Sequence, residues 1–179
     1  VQDFIGRNKV KAFTVVADAA MISSENIAQL NQSEINYIVG ARMGNLSIKL
    51  LETVDKQIVR EDSKSIRRKT ELGYLICSYS SVRYRKDLYE MNKQIEKAKQ
   101  VIQVPSKSKK LKFTTTKDQK LELNDELIEK TKKLLGIKGY YTNLEEKIAD
   151  NKTIIARYHE LYKIEQAFRV SKNDLDRKS

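Results

Sequence analysis

The sequence predicts an α/β fold on three observations: an apolar run ending in aspartate, a capped amphipathic segment, and a second apolar run closed by glycine. The first, Phe13–Ala17 (FTVVA), is continuous, rich in β-branched residues and ends at Asp18. It reads as a strand buried on both faces, as in a parallel sheet. Ser23 or Ser24 is placed to cap the helix that follows, whose apolar face would include Ile27 and Leu30. Tyr37–Val39 then reads as a second buried strand that stops at Gly40. Strand, helix and strand at this spacing form a βαβ unit.

From residue 44 to 136 the pattern changes and charge rises. Leu72–Ser80 alternates like a half-exposed antiparallel strand, with the single cysteine, Cys77, as a small core residue. A helix is expected from Val82 to Gln103, because Leu88, Met91, Ile95, Ala98 and Ile102 recur at spacings of three and four. It must stop before Pro105, the only proline, and the loop Ser106–Lys110 follows. Two short strands should flank Thr116–Lys120, and Asn124 can cap a further helix to Leu135. We read this stretch as an insertion carrying its own strands.

The last part returns to core-like sequence. Ile137–Asn143 (IKGYYTN) is expected to be a strand, and Asp150 or Asn151 to cap a long helix through Leu175. Ile154, Tyr158, Leu161 and Phe168 form one stripe of that helix, and Glu165 and Lys172 fall inside it. Positions seven apart differ by only about 20° in azimuth, so Tyr158, Glu165 and Lys172 share a face. A carboxylate on the buried side of a helix is costly unless paired or metal-bound. An ion pair with Arg169 at i+4 would satisfy Glu165 as well as a metal would.

Charge adds a functional clue. The 179 residues carry a formal net charge of +11, which favours a polyanionic partner, most often nucleic acid. Residues 81–120 hold twelve lysines and arginines against four carboxylates, a surplus of eight. A solvated helix face followed by a lysine loop would read the same way. There is no apolar run near membrane-spanning length and no basic-then-apolar leader, so the sequence supports neither a membrane nor a secretory reading. A Gly-rich phosphate loop, Cys/His zinc spacing and a Ser–His pair are also missing, and His159 is expected on the exposed side of its helix. Asp18 directly follows a buried strand, and in open α/β sheets ligands gather at the carboxyl ends of strands. A turn or cap role fits Asp18 too. A strand-end aspartate and a helix-borne glutamate facing one sheet edge would suit a hard divalent cation.

The stretch Val15-Val16-Ala17-Asp18-Ala19-Ala20-Met21, with Tyr37-Ile38-Val39-Gly40-Ala41-Arg42, resembles the region of the second acidic residue in the IS-four superfamily of bacterial DDE transposases. Gly139-Tyr140-Tyr141-Thr142-Asn143 and the run from Tyr158 to Leu175 resemble the region of its final glutamate. That superfamily is marked by a tyrosine, an arginine, the glutamate and a lysine on one helix. Tyr158, Glu165 and Lys172 match, and Leu161 stands where the arginine would be. The likeness extends over nearly the whole chain, including the lysine-rich segment.

The resemblance implies a partial RNase H-like catalytic fold in three parts. Residues 1–43 would be core with the second acidic residue, 44–136 a basic insertion, and 137–179 the last core strand and the glutamate helix. It implies DNA strand cleavage and transfer dependent on Mg²⁺ or Mn²⁺, acting on double-stranded DNA at transposon ends and at the target. Asp18 and Glu165 would be the catalytic metal ligands, while Tyr158, Lys172 and Arg169 would contact DNA phosphates. A homodimer in a synaptic complex and a bacterial cytoplasmic location, on the nucleoid when DNA-bound, are further implications. Asp3 is too near Asp18 to be the family's first aspartate, so the chain is expected to begin inside the catalytic domain and to be inactive alone. The alternatives are a non-catalytic basic nucleic-acid-binding module and an inactive structural remnant.

Overall fold

The computed structural model describes residues 13–20, 23–103, 111–117 and 120–161. In chain order the elements are β1 (Thr14–Ala17), α1 (Ser24–Gln32), β2 (Asn36–Ala41), a 3-10 turn (Met43–Asn45) and α2 (Ile48–Gln57). Then come β3 (Ser65–Thr70), β4 (Gly73–Tyr79), α3 (Ser81–Gln103), β5 (Thr114–Lys117), β6 (Lys120–Leu123), α4 (Asp125–Lys133) and β7 (Ile137–Thr142). A final helix, α5, is described over 151–161. The protein is mixed α/β, with five strands in the order β1-β2-β7-β4-β3 and a separate β5-β6 pair. None of its described helices is long and apolar enough to cross a membrane.

The chain divides into two compact units. The first takes in the described residues of 1–42, 66–77 and 139–179. Its opening is the expected βαβ: β1 pairs with β2 in parallel, Thr14 opposite Asn36 through Ala17 opposite Val39. Ser23 caps α1, its hydroxyl accepting from the Asn26 N–H. β7 then pairs with β2 antiparallel, Ile38 opposite Thr142. Because strand side chains alternate between faces, β2 sends Tyr37 and Val39 one way and Ile38 the other. Tyr37 and Val39 pack with Ile27 and Leu30 of α1. Ile38 packs with Ile76, Tyr140, Ile154 and Tyr158, the last two on α5. The sheet is thus covered on both faces, each by a helix.

The strand order corrects two expectations about burial. β4 is an interior strand with β7 and β3 beside it. Leu75, Ile76 and Cys77 are consecutive and fully buried, so both faces of β4 are covered and it is not half-exposed. Burial pushes the Cys77 thiol up to about 12, which keeps it protonated and inert, the core role expected of it. β1, by contrast, is half-buried throughout. Its side chains reach both faces, Val16 toward one cluster and Val15 and Ala17 toward the other. It ends the strand order with only β2 beside it among the described residues, and one neighbour leaves each residue partly open.

The second unit comprises the described parts of 43–65 and 78–138. α3 lays its predicted stripe on a core of Met91, Ala98, Phe113, Ile128 and Leu135, with Leu88 and Ile95 packed against it. β5 and β6 pair antiparallel, Thr114 opposite Leu123, and Asn124 caps α4 by accepting from the Leu127 N–H at 2.9 Å. Within the stretch 44–136, residues 66–77 lie in the five-stranded sheet and group with the first unit. The loop Ser106–Lys110 lies outside the described residues.

Candidate functional site

Asp18 stands immediately after β1, at the carboxyl end of the parallel pair. Its Oδ1 accepts two hydrogen bonds, from the Ala19 N–H at 2.7 Å and from the Tyr158 hydroxyl at 2.8 Å. The second bond joins residues 140 positions apart. Oδ2 accepts none among the described residues. Asp18 is therefore a half-buried carboxylate with one oxygen fixed by neighbours and the other available. That oxygen suits a hard cation, which takes carboxylate oxygens as ligands.

Tyr158 reaches Asp18 because α5 is held firmly at its start. The Asp150 carboxylate caps the helix, accepting from the Thr153 N–H at 2.7 Å. The Arg67 guanidinium on β3 donates to Asn151 Oδ1, to the Leu144 carbonyl and to the Ala149 carbonyl, at 2.9, 3.3 and 2.7 Å. One planar fork thus ties both the loop before α5 and its first residue to the sheet. Tyr158 itself is 6% exposed and meets Tyr140 edge-on, with ring centroids 4.9 Å apart. His159 is exposed, as expected, with Nε2 at 3.4 Å from the Tyr140 hydroxyl.

Gly40 completes the contact. A Cβ placed there would stand 2.7 Å from the Tyr158 hydroxyl and 3.0 Å from the Ala19 nitrogen. Only glycine leaves room for the tyrosine to lie across the end of β2 and meet Asp18. Arg42, just beyond β2, donates from Nε to the Ala19 carbonyl at 3.0 Å and holds the turn after Asp18 in place.

Of the sequence-predicted site residues, the structure brings together Asp18 and Tyr158. Glu165, Arg169 and Lys172 lie outside the described residues, as does Asp3, and Leu161 is half-buried. Among the described residues no three His, Cys, Asp or Glu side chains gather around one point. Sequence reasoning passed over Arg67 and the close approach at Gly40. A glycine closing an apolar run reads as a strand stop, and an arginine within Ile66-Arg67-Arg68-Lys69 reads as surface charge. Comparison with family models, with curated proteins and with solved structures returns no match.

Proposed function

We propose that this chain is part of the catalytic domain of a DDE-type transposase, with an RNase H-like core, acting on DNA through a divalent metal. The observation that carries the reading is the hydrogen bond from Tyr158 to Asp18. The two segments that resemble the IS-four superfamily are far apart in sequence, and a direct contact between their marked residues is what a shared site requires. The available Oδ2 of Asp18 adds to this support.

In this reading Asp18 and Glu165 hold Mg²⁺ or Mn²⁺, which when bound would stabilise the attacking and leaving oxygens at the scissile phosphate. The protein's own residues supply position. Tyr158 and the Ala19 N–H fix Oδ1 of Asp18, so that Oδ2 keeps one direction. Lys172 and Arg169 contact DNA phosphates, which sets register without reading sequence.

Titration of the chain with Mn²⁺, followed by electron paramagnetic resonance, tests the metal site apart from cleavage. Asp18→Asn and Glu165→Gln should each weaken binding by about tenfold or more, since losing even a ligand's supporting group costs roughly that much. Equal Mn²⁺ binding by wild type and both variants would overturn the reading. It would favour the second one, a basic nucleic-acid-binding module, which the surplus of eight positive charges in residues 81–120 supports by itself.

A further inference from the structure

α3 is the most basic of the described helices, and its outward face carries more than charge. Its buried side is set by Met91 and Ala98, with Leu88 and Ile95 packed beside them. At 3.6 residues per turn the opposite side is centred near Tyr89. Tyr89 is 65% exposed, and Val82, two turns earlier on the same side, is 66% exposed. An aromatic ring that open on a helix of 23 residues has no packing role to explain it.

The surroundings of Tyr89 are cationic. Arg85 and Lys86 lie one turn before it and Lys93 one turn after, with the Lys93 ammonium 5.8 Å from the ring centroid. Lys97 continues the series, and all four cations are exposed. The carboxylates nearby are committed or peripheral. Glu96 is bonded to Lys99 at 2.8 Å and Asp87 pairs with Arg83 at 3.4 Å, while Glu90 sits about 100° round the helix from Tyr89. Among the described residues Lys86, Lys93 and Lys97 make no ion pair, so their charge is left for a partner.

We infer that this face of α3 binds single-stranded nucleic acid, with Tyr89 stacking on an unpaired base and Lys86, Lys93 and Lys97 contacting the phosphates on either side. Solvated cations call for a polyanion, and an open ring among them calls for a π-face. Single strands present both together, whereas a duplex keeps its bases stacked on one another. From Arg85 to Lys97 the face is about 18 Å long at 1.5 Å per residue, enough for a few nucleotides. The inference deepens the nucleic-acid part of the proposed function. It needs no metal, so it stands or fails apart from the Mn²⁺ titration.

Fluorescence anisotropy with a labelled oligothymidine, and with a duplex of equal length, at two salt concentrations decides it. Tyr89→Ala should weaken oligothymidine binding about tenfold, in the range that one stacked base supplies. Tyr89→Phe, which keeps the ring, should bind like wild type. Duplex affinity should change by less than about twofold on Tyr89→Ala, because contacts to duplex DNA are mostly with phosphate and sugar. Lys86→Gln with Lys93→Gln should weaken both and reduce the salt dependence. Thermal unfolding of each variant checks that these surface changes leave the fold intact. No binding of oligothymidine by the wild type would overturn the inference, and so would an unchanged affinity for Tyr89→Ala or an equal loss on duplex. Displacement by polyglutamate as effective as by oligothymidine, with no effect of Tyr89→Ala, would place an acidic protein on this face instead.

Discussion

Tyr158 and Tyr89 carry the same side chain into opposite surroundings. Tyr158 is 6% exposed, packed against Tyr140, with its hydroxyl committed to one oxygen of Asp18. Tyr89 is 65% exposed on α3, with a lysine ammonium near its ring. The first unit holds its polar groups by fixed partners: Thr142 donates to the Tyr37 carbonyl at 2.6 Å, and Asn143 donates to the Ile35 carbonyl at 3.0 Å. The second leaves much of its charge in water. Chemistry at a phosphate needs groups held within a fraction of an ångström, which only the first arrangement offers. Holding a flexible polyanion needs charge and an open ring, which only the second does.

The sharpest way to break this comparison is to remove each kind of aromatic. Tyr140, 1% exposed, packs in one cluster with Ile38 and Tyr158. Tyr140→Ala should lower unfolding stability by about 3–5 kcal/mol, as for other large buried rings. Tyr89→Ala should stay within about 0.5 kcal/mol of wild type. Urea unfolding midpoints measure both. Similar losses would mean that Tyr89 has a packing role and that the contrast is mistaken.

A smaller effect sharpens the site itself. Gly40→Ala forces a methyl against the Tyr158 hydroxyl, and the buried ring has little room to retreat. The expected cost is about 1–3 kcal/mol, typical of overpacking. Part of that should vanish in a Tyr158→Phe background, where the hydroxyl that is struck is gone while the tight contact with the Ala19 backbone nitrogen remains. A double-mutant cycle should therefore give a coupling of at least about 0.5 kcal/mol. Strict additivity would show that the hydroxyl is not seated over Gly40, and would undo the contact with Asp18 as well.

Local signals in the sequence were legible. The βαβ opening, the Ser23 and Asn124 caps and the stripe of α3 all depend on residues within a few positions of one another, and each is found in the structure. Burial was less legible, because it depends on which strands become neighbours. Leu72–Ser80 looks half-exposed by alternation, yet the order β7-β4-β3 encloses it. Asp18 stood out as an acid at a strand end and Tyr158 as part of a helical stripe. No rule of spacing could bring them together across the chain. Arg67 and Gly40 owe their roles wholly to that long-range meeting, and their own neighbours in sequence give no hint of it.

The smallest effects concern the two helix starts. The hydroxyl and N–H of Ser81 hold the Asp62 carboxyl below its usual range, and the side chain and N–H of Thr153 do the same for Asp150. Asp62 thereby caps α3 of the second unit and Asp150 caps α5 of the first. In the unfolded chain both return to the ordinary aspartate value of about 3.9. A depressed carboxyl contributes stability that is present above that value and lost as pH falls through the folded one. Acid titration followed by circular dichroism should show stability decreasing below about pH 4, and Asp62→Ala or Asp150→Ala should each remove part of that slope. The two caps differ in what they support. Asp150→Ala should loosen the start of the helix that carries Tyr158, so under the proposed function it should also weaken Mn²⁺ binding at Asp18 slightly. Asp62→Ala should leave Mn²⁺ binding unchanged and loosen only the start of α3. If Asp62→Ala weakened metal binding as much as Asp150→Ala, positioning would not be confined to the sheet unit, and the division of labour drawn from Tyr158 and Tyr89 would fail.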